Sequence, residues 1–536
     1  MAVGTVASRG TGFLRSIALV YVLGVKLVPA AYNAANTLPN MVYELLLGGI
    51  LTSVFVPLIV KAQRQDPDGG EAFTQRLLTL TVVVLGLATA VAVLAAPLLV
   101  SLQGFGAHDP HQRDLAVALA RLLLPEILFY GIGAALAAVL NTRGQFAAPM
   151  WAPVVNNVVV LGTCAVFLAL PGSDPLTPAS ITTAQVLVIG IGTTLGIVAQ
   201  AATLWPALRR VGFRWLWRLD VRHARLREAA GLAGWMLAYV AVSQVGVIVV
   251  QRLAVLIEGA HPQVAGYTVF VNAQLLFMLP HGIVAVSIIT ALLPRMSRAA
   301  VDGRPREVAR DLSLGTRLSS VILLPVTAAF IALGPALGIL LYSYGRSSLR
   351  DGRAIGVTLA AGALGLLPFA VSQMQIFAFY ALRDTRTPAL VNIAVVAVKV
   401  AVDLILYATL PPRNVIEGLM WGNTASYLVA VVVSGLLLSR RLGGLDTPRV
   451  LRTVARLSVA AAAGGVLAWA VGAGIGAQLG TGQPVEALML VAGSLLGGLV
   501  FVAVALRLRV GEVREVIGTV RGRAGRGVAG PPGDRL

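Results

Sequence analysis

The chain has 536 residues, 57% of them hydrophobic and only 12% charged, with a mean hydropathy of +0.83. Too little polar surface is available for a water-soluble globule, and the balance is that of a polytopic membrane protein. The net charge of +19 raises the question of a nucleic-acid partner, but the charges are spread through loops rather than gathered on one surface, and the single cysteine, Cys164, excludes an internal disulfide.

A hydrocarbon core of about 30 Å needs about 20 apolar residues per helix. Fourteen windows meet that need: 4–25, 31–60, 77–102, 114–140, 148–171, 182–208, 229–257, 264–294, 314–344, 355–382, 388–411, 415–439, 451–478 and 485–508. No segment alternates strongly enough for a barrel strand. The N-terminus lacks the basic region and cleavage site of a signal peptide and reads as part of the first span. The fold class expected is therefore an all-α polytopic membrane protein with fourteen helices.

The first span carries two arginines, Arg9 and Arg15, with Gly10 and Gly12 between them. An arginine at bilayer depth costs about 2.5–3.5 kcal/mol on insertion scales, so it normally faces a bundle interior or a wet cavity. The second span offers a match. Asn33, Asn36, Asn40 and Glu44 are spaced 3, 4 and 4 apart, which puts all four on one helical face. The two arginines are then candidate contacts for an anionic group, with the stripe as polar lining; a bland alternative has Arg9 snorkelling to the interface and Arg15 pairing with Glu44. Further along, Glu126 lies in the fourth window, and Arg252 lies beside Gln251 and Gln244 in the seventh as a further cation. Lys399 and Asp403 stand at i and i+4 in the eleventh, where opposite charges meet. They read as a self-neutralised pair or as an ion-coupling site.

Lys and Arg concentrate in the loops after even-numbered windows and in the C-terminal tail, for example in "RRVGFRWLWRLDVRHARLR" (209–227). This positive-inside pattern predicts both termini in the cytoplasm and contact with anionic lipid head groups. An internal repeat follows. Pro125 with Thr142 and Arg143 is echoed by Pro368 with Thr385 and Arg386, at identical intervals of 17 and 18. Thr193 with Arg209 and Arg210 is echoed by Thr424 with Arg440 and Arg441, at intervals of 16 and 17, and Tyr32 with Pro57 is echoed more loosely by Tyr267 with Pro294. A duplicated six-helix unit plus two extra helices is expected, and an even number of spans per unit makes the repeats parallel, an arrangement suited to alternating access. The glycine-rich runs at 190–196 and 472–480 follow no strand and read as packing faces rather than nucleotide loops. "HDPH" (108–111) lacks the further ligand of a zinc site. No enzyme constellation is present.

The motifs "SRGTGFLR" (8–15), "NTLPNMVYELLLGGILTSVFVPLI" (36–59), "LNTRGQFAAPMWAPVVNN" (140–157), "LPHGIVAVSIITALLPRMS" (279–297) and "YALRDTRTP" (380–388) resemble the MurJ/MviN family of lipid II flippases, in the MOP superfamily that also holds the MATE exporters. The high Ala, Gly, Val and Arg content resembles actinobacterial members. The resemblance spans essentially the whole chain. It implies an N-lobe (1–211), a C-lobe (212–441), a lipid-tail groove at the last two helices (442–508) and a basic cytoplasmic tail (509–536). It also implies a cationic cavity for the lipid II pyrophosphate, and it places the family's two first-helix arginines on Arg9 and Arg15. The family's arginine after the LPN motif falls near Tyr43 and Glu44, its eighth-helix arginine near Leu275 and a second-helix acid near Ala30, so these are lost here. A sodium site described in some members has Asp384 at one position but Val400 at a hydroxyl position.

The expected function is thus a flippase moving lipid II from the inner to the outer leaflet of a bacterial cytoplasmic membrane, without enzymatic activity or a cofactor beyond a possible monovalent cation. Anionic lipids and cell-wall synthesis proteins are the further partners expected, and nucleic acid is not. Flipping of another polyprenyl-linked oligosaccharide or MATE-like export is the alternative within transporters, although MATE-like exporters usually carry a first-helix carboxylate that is missing here. A scaffold for wall-synthesis enzymes is the alternative from another class.

Overall fold

The computed structural model describes residues 2–47, 56–218, 220, 226–264, 266–480 and 482–514, and every regular element among them is a helix. In chain order these are α1 (Ala2–Leu23), α2 (Leu27–Leu47), α3 (Val56–Gln65), α4 (Glu71–Leu94), α5 (Ala96–Leu102), α6 (Pro110–Leu123), α7 (Glu126–Thr142), α8 (Ala147–Ala169), α9 (Thr183–Ala202) and α10 (Leu204–Arg210). They continue as α11 (Leu226–Ala260), α12 (Tyr267–Pro280), α13 (Val286–Val301), α14 (Pro305–Tyr342), α15 (Leu349–Gly362), α16 (Leu366–Ala381), α17 (Arg386–Thr409), α18 (Val415–Leu442), α19 (Thr447–Leu479) and α20 (Gln483–Arg507).

Twelve helical segments of the described residues, from Glu71–Leu94 to Gln483–Arg507, are long and apolar enough to cross a membrane. They correspond to the third through fourteenth expected windows. The first two windows differ: α1 and α2 are helical but are not among the twelve. Arg9 and Arg15 in one, and three asparagines with Glu44 in the other, lower their hydropathy, and 48–55 of the second window lie outside the described residues. Most of the basic tail, from 515 on, also lies outside them.

Some spans are two helices in line. Pro125 separates α6 from α7 within the span Pro110–Thr142; having no N–H, it leaves the Arg121 carbonyl without its helical partner. A π-helical turn, His281–Ala285, joins α12 to α13 directly after Pro280.

The chain divides into two compact units. The first comprises Met1–Asn272, Leu341–Gly352 and Thr385–Gly422; the second comprises Ala273–Leu340, Arg353–Asp384 and Asn423–Leu536. In the first, α1 packs on α8, α8 on α9, α2 on α6, α4 on α7 and α11 on α17. Small residues permit the close approaches: a Cβ on Gly190 of α9 would stand 2.6 Å from Leu122 Cδ1, and Gly192 and Gly196 lie directly against Thr163 and Asn156 of α8. The turn before α4 is held by Asp68, which accepts the backbone N–H groups of Ala72 (2.7 Å) and Gly70 (3.0 Å). These donors hold its carboxyl below the usual carboxylate range.

In the second unit α19 and α20 pair closely, with a Cβ on Gly497 only 2.7 Å from the Gly464 carbonyl. Val321, Leu457, Phe501 and Ala505 form a buried core beside them. Gly472 rests on Leu333 and Gly476 on Met489, so the glycine-rich run at 472–480 is a packing face. Large apolar side chains such as Leu94, Leu195, Val466 and Leu499 stay exposed, as fits a surface solvated by lipid tails.

Candidate functional site

α1 is anchored by α8. Asn157 Nδ2 donates to the Ser8 carbonyl (3.2 Å) and to Thr11 Oγ1 (3.0 Å). These bonds fix the rotation of the helix that carries the two arginines. Arg9 is exposed, and among the described residues neither it nor Arg15 has a carboxylate within ion-pair distance. Arg15 is half-buried; its Nε is sealed from solvent without a hydrogen-bond partner. Two cationic side chains are thus held on α1 without a carboxylate partner among the described residues, an arrangement that a phosphate oxygen can complete.

The polar stripe of α2 divides into two. Its outer part meets α12: Asn33 Nδ2 donates to Thr268 Oγ1 (3.3 Å), and the Thr37 hydroxyl lies 3.4 Å from that of Tyr267. Ser16 of α1 joins the same seam by donating to Asn272 Oδ1 at 2.7 Å. The inner part meets α11: Asn40 donates to Glu44 Oε1 (3.2 Å), and Gln244 Nε2 donates to Glu44 Oε2 (2.7 Å). Asn36 is half-buried between these groups. Pairing of Arg15 with Glu44, the bland alternative, does not occur. α1 and α2 run in opposite directions through a short turn, and Arg15 lies 8 residues before the end of α1 while Glu44 lies 17 residues after the start of α2. At 1.5 Å per residue their depths differ by about 13 Å.

Arg252 reaches α5. Its Nη1 stands 3.2 Å from the Leu102 carbonyl and 3.4 Å from that of Ser101, so it serves the carbonyl-rich end of that short helix. Lys399 Nζ and Asp403 Oδ2 form an ion pair at 3.0 Å, with Asp403 fully buried. Gly246 of α11 packs on the Lys399 stem and Gly422 of α18 on the Asp403 carboxylate. Lys399→Ala is therefore expected to lower function and folded yield more than Lys399→Ala combined with Asp403→Ala, because the single change strands a buried carboxylate, typically at about 3–5 kcal/mol. Yield and complementation of the two variants measure this; an equally poor double variant assigns the pair a transport role beyond self-neutralisation.

Asp384 is paired with Arg441, and Val400 has no side-chain oxygen. These residues do not fit a monovalent-cation site. In "HDPH", Asp109 caps α6 by accepting the His111 N–H at 2.9 Å. Among the described residues no group of three or more His, Cys, Asp or Glu stands together as a metal site.

The sequence did not disclose the partners of Asn157, Gln244 and Tyr267, nor any role for Thr268 and Asn272. Each bonds to a residue 146 or more positions away, and no local spacing announces such pairs. Glu126 was visible as an intramembrane acid, and its position next to Pro125 was the available signal that the helix opens there.

An all-helical chain in which twelve helical segments of the described residues are long and apolar enough to cross a membrane is a polytopic membrane protein. Over residues 19–490 the chain matches the family described as "Lipid II flippase MurJ", and it belongs to that family. A "Probable lipid II flippase MurJ" of Rhizobium meliloti (strain 1021) is 28% identical over 466 residues, covering 85% of this chain and 83% of that protein. The "Lipid II flippase MurJ" of Burkholderia cenocepacia is 26% identical over 401 residues, covering 74% of each. Among solved structures, a lipid II flippase MurJ in an inward closed conformation superposes with a TM-score of 0.73 at 18% identity, covering 96% of this chain and 99% of that one. An inward-facing MATE multidrug transporter of the MOP superfamily gives 0.65 at 15% identity, with 81% and 94% covered. Members of the family are transporters, not enzymes.

Proposed function

We propose that this protein carries lipid II from the inner to the outer leaflet by alternating access, with Arg9 and Arg15 as contacts for the pyrophosphate and the α2 stripe as lining for the sugars. The observation that carries this reading is the pair of arginines on α1 with no carboxylate partner among the described residues. Family membership supplies the substrate class. The further architecture that this reading takes is fourteen spans: α1 and the α2 segment are counted with the twelve apolar ones, as two parallel six-helix repeats (1–211 and 212–441) followed by two helices that hold the polyprenyl tail (442–508). The internal repeat and the distribution of basic loops support it, with both termini and the basic tail 509–536 in the cytoplasm. Arg209, Arg214 and Trp215, which line one cavity, suit contact with anionic lipid head groups. Arg252 and Lys399–Asp403 act in support rather than as contacts, since both are engaged within the protein.

Depletion in cells that depend on this protein tests the reading. Outer-leaflet labelling of lipid II is expected to fall as the protein disappears, with lipid II accumulating inside. Unchanged outer-leaflet labelling after depletion overturns the proposed function.

A further inference from the structure

Glu44 stands on the polar face of α2, about one turn from its end, and is half-buried. Among the described residues no lysine, arginine or histidine lies within ion-pair distance of it. Arg9 of α1, within about 5 Å of its depth across the α1–α2 turn, does not pair with it. Two side-chain amides hold the carboxylate instead. Asn40 Nδ2 donates to Oε1 at 3.2 Å from one turn back along α2, and Gln244 Nε2 of α11 donates to Oε2 at 2.7 Å.

The Gln244 side chain is buried, and the carboxylate fixes which way its amide points, because the reverse orientation would set oxygen against oxygen. Gln244 Oε1 is therefore an acceptor, and it is sealed from solvent without a hydrogen-bond partner. In a planar amide this oxygen lies about 2.3 Å from Nε2, so it stands within about 5 Å of Glu44 Oε2. An ionised carboxylate offers about four lone-pair sites, of which the two amides fill two. The cluster is thus rich in acceptors, carries a negative charge and lacks a cationic donor. Joining α2 to α11 does not by itself call for that charge, since a neutral amide at position 44 could bond Gln244 equally well. A charge kept from water without a counter-ion is costly, and the group that relieves the cost here is a cation with several hydrogen-bond donors. An ammonium, with three donors and no acceptor, has that chemistry.

We propose that Glu44, held in place by Asn40 and Gln244, is a subsite for a primary ammonium group on the transported ligand, such as a diamino-acid side chain of its peptide carries. The ligand is then held at two points of opposite charge, its pyrophosphate on the arginines of α1 and its ammonium on α2, and the pair of contacts sets its orientation and selects ligands that bear the amine. This deepens the proposed function and rests on its reading of the α2 stripe as lining for the ligand.

The test uses the full chain in detergent at pH 7, where a primary amine is charged. Two probes are compared: a short-chain polyprenyl pyrophosphoryl disaccharide-peptide with a free side-chain amine, and the same compound with that amine acetylated. Wild type is expected to bind the free-amine probe at least about tenfold more tightly, as fits a hydrogen bond between charged groups. In Glu44→Gln the ratio of the two affinities is expected to fall to about one, which separates loss of charge recognition from any effect of the bulk of the acetyl group. Equal binding of the two probes by wild type overturns the ammonium subsite, a result that needs no variant to fold, and so does an undiminished preference in Glu44→Gln. Failure of wild type to bind either probe overturns instead the proposed function.

Discussion

Arg15→Glu is expected to abolish complementation of a strain dependent on this protein while the variant still reaches the membrane at normal abundance. A hydrogen bond to a charged group is worth about 1.5–3 kcal/mol, and removing it costs at least that much of the ligand's affinity. Reversal adds repulsion between a carboxylate and the pyrophosphate in a poorly solvated site. Arg9→Glu is expected to have the same direction and a smaller effect, because Arg9 is exposed and its charge is screened by solvent. Arg15→Lys, which keeps the charge but not the planar fork, is expected to retain part of the function. Normal growth with both single reversals sinks the cationic-contact reading.

Dissipating the membrane potential with a potassium ionophore at constant pH is expected to stop flipping, while collapse of the pH gradient alone is expected to leave it running. A head group of about two negative charges moving outward, down an inside-negative potential, releases roughly 2.3 kcal/mol per charge per 100 mV. If arginines travel with it, that gain is transferred to the return step, when the uncovered positive charges are drawn back toward the cytoplasm. The charge moved per cycle is the same. Outer-leaflet labelling of lipid II before and after each treatment measures this, and unchanged labelling after loss of potential refutes it.

What the sequence by itself determined are the features carried within about one or two helical turns. The apolar windows from 77 onward match spans in the structure because lipid exposure sets the composition of each helix separately. Lys399 and Asp403 meet at 3.0 Å because helical geometry brings i and i+4 together whatever surrounds them. The Asp109 cap on α6 is equally local. The first two windows are helical but fall outside the twelve apolar spans, because Arg9, Arg15, three asparagines and Glu44 lower their hydropathy.

The partners of the charged and polar side chains are fixed by the tertiary structure. Glu44 sits with Gln244, 200 residues away, and Arg441 with Asp384, 57 away. Helical periodicity states which face of α1 or α2 is polar, but not which neighbour that face meets or at what depth. Between lipid-solvated helices, neighbours are selected by close packing of small residues such as Gly190, Gly192 and Gly196 and by isolated hydrogen bonds such as those of Asn157, and these are set by residues far apart in the chain.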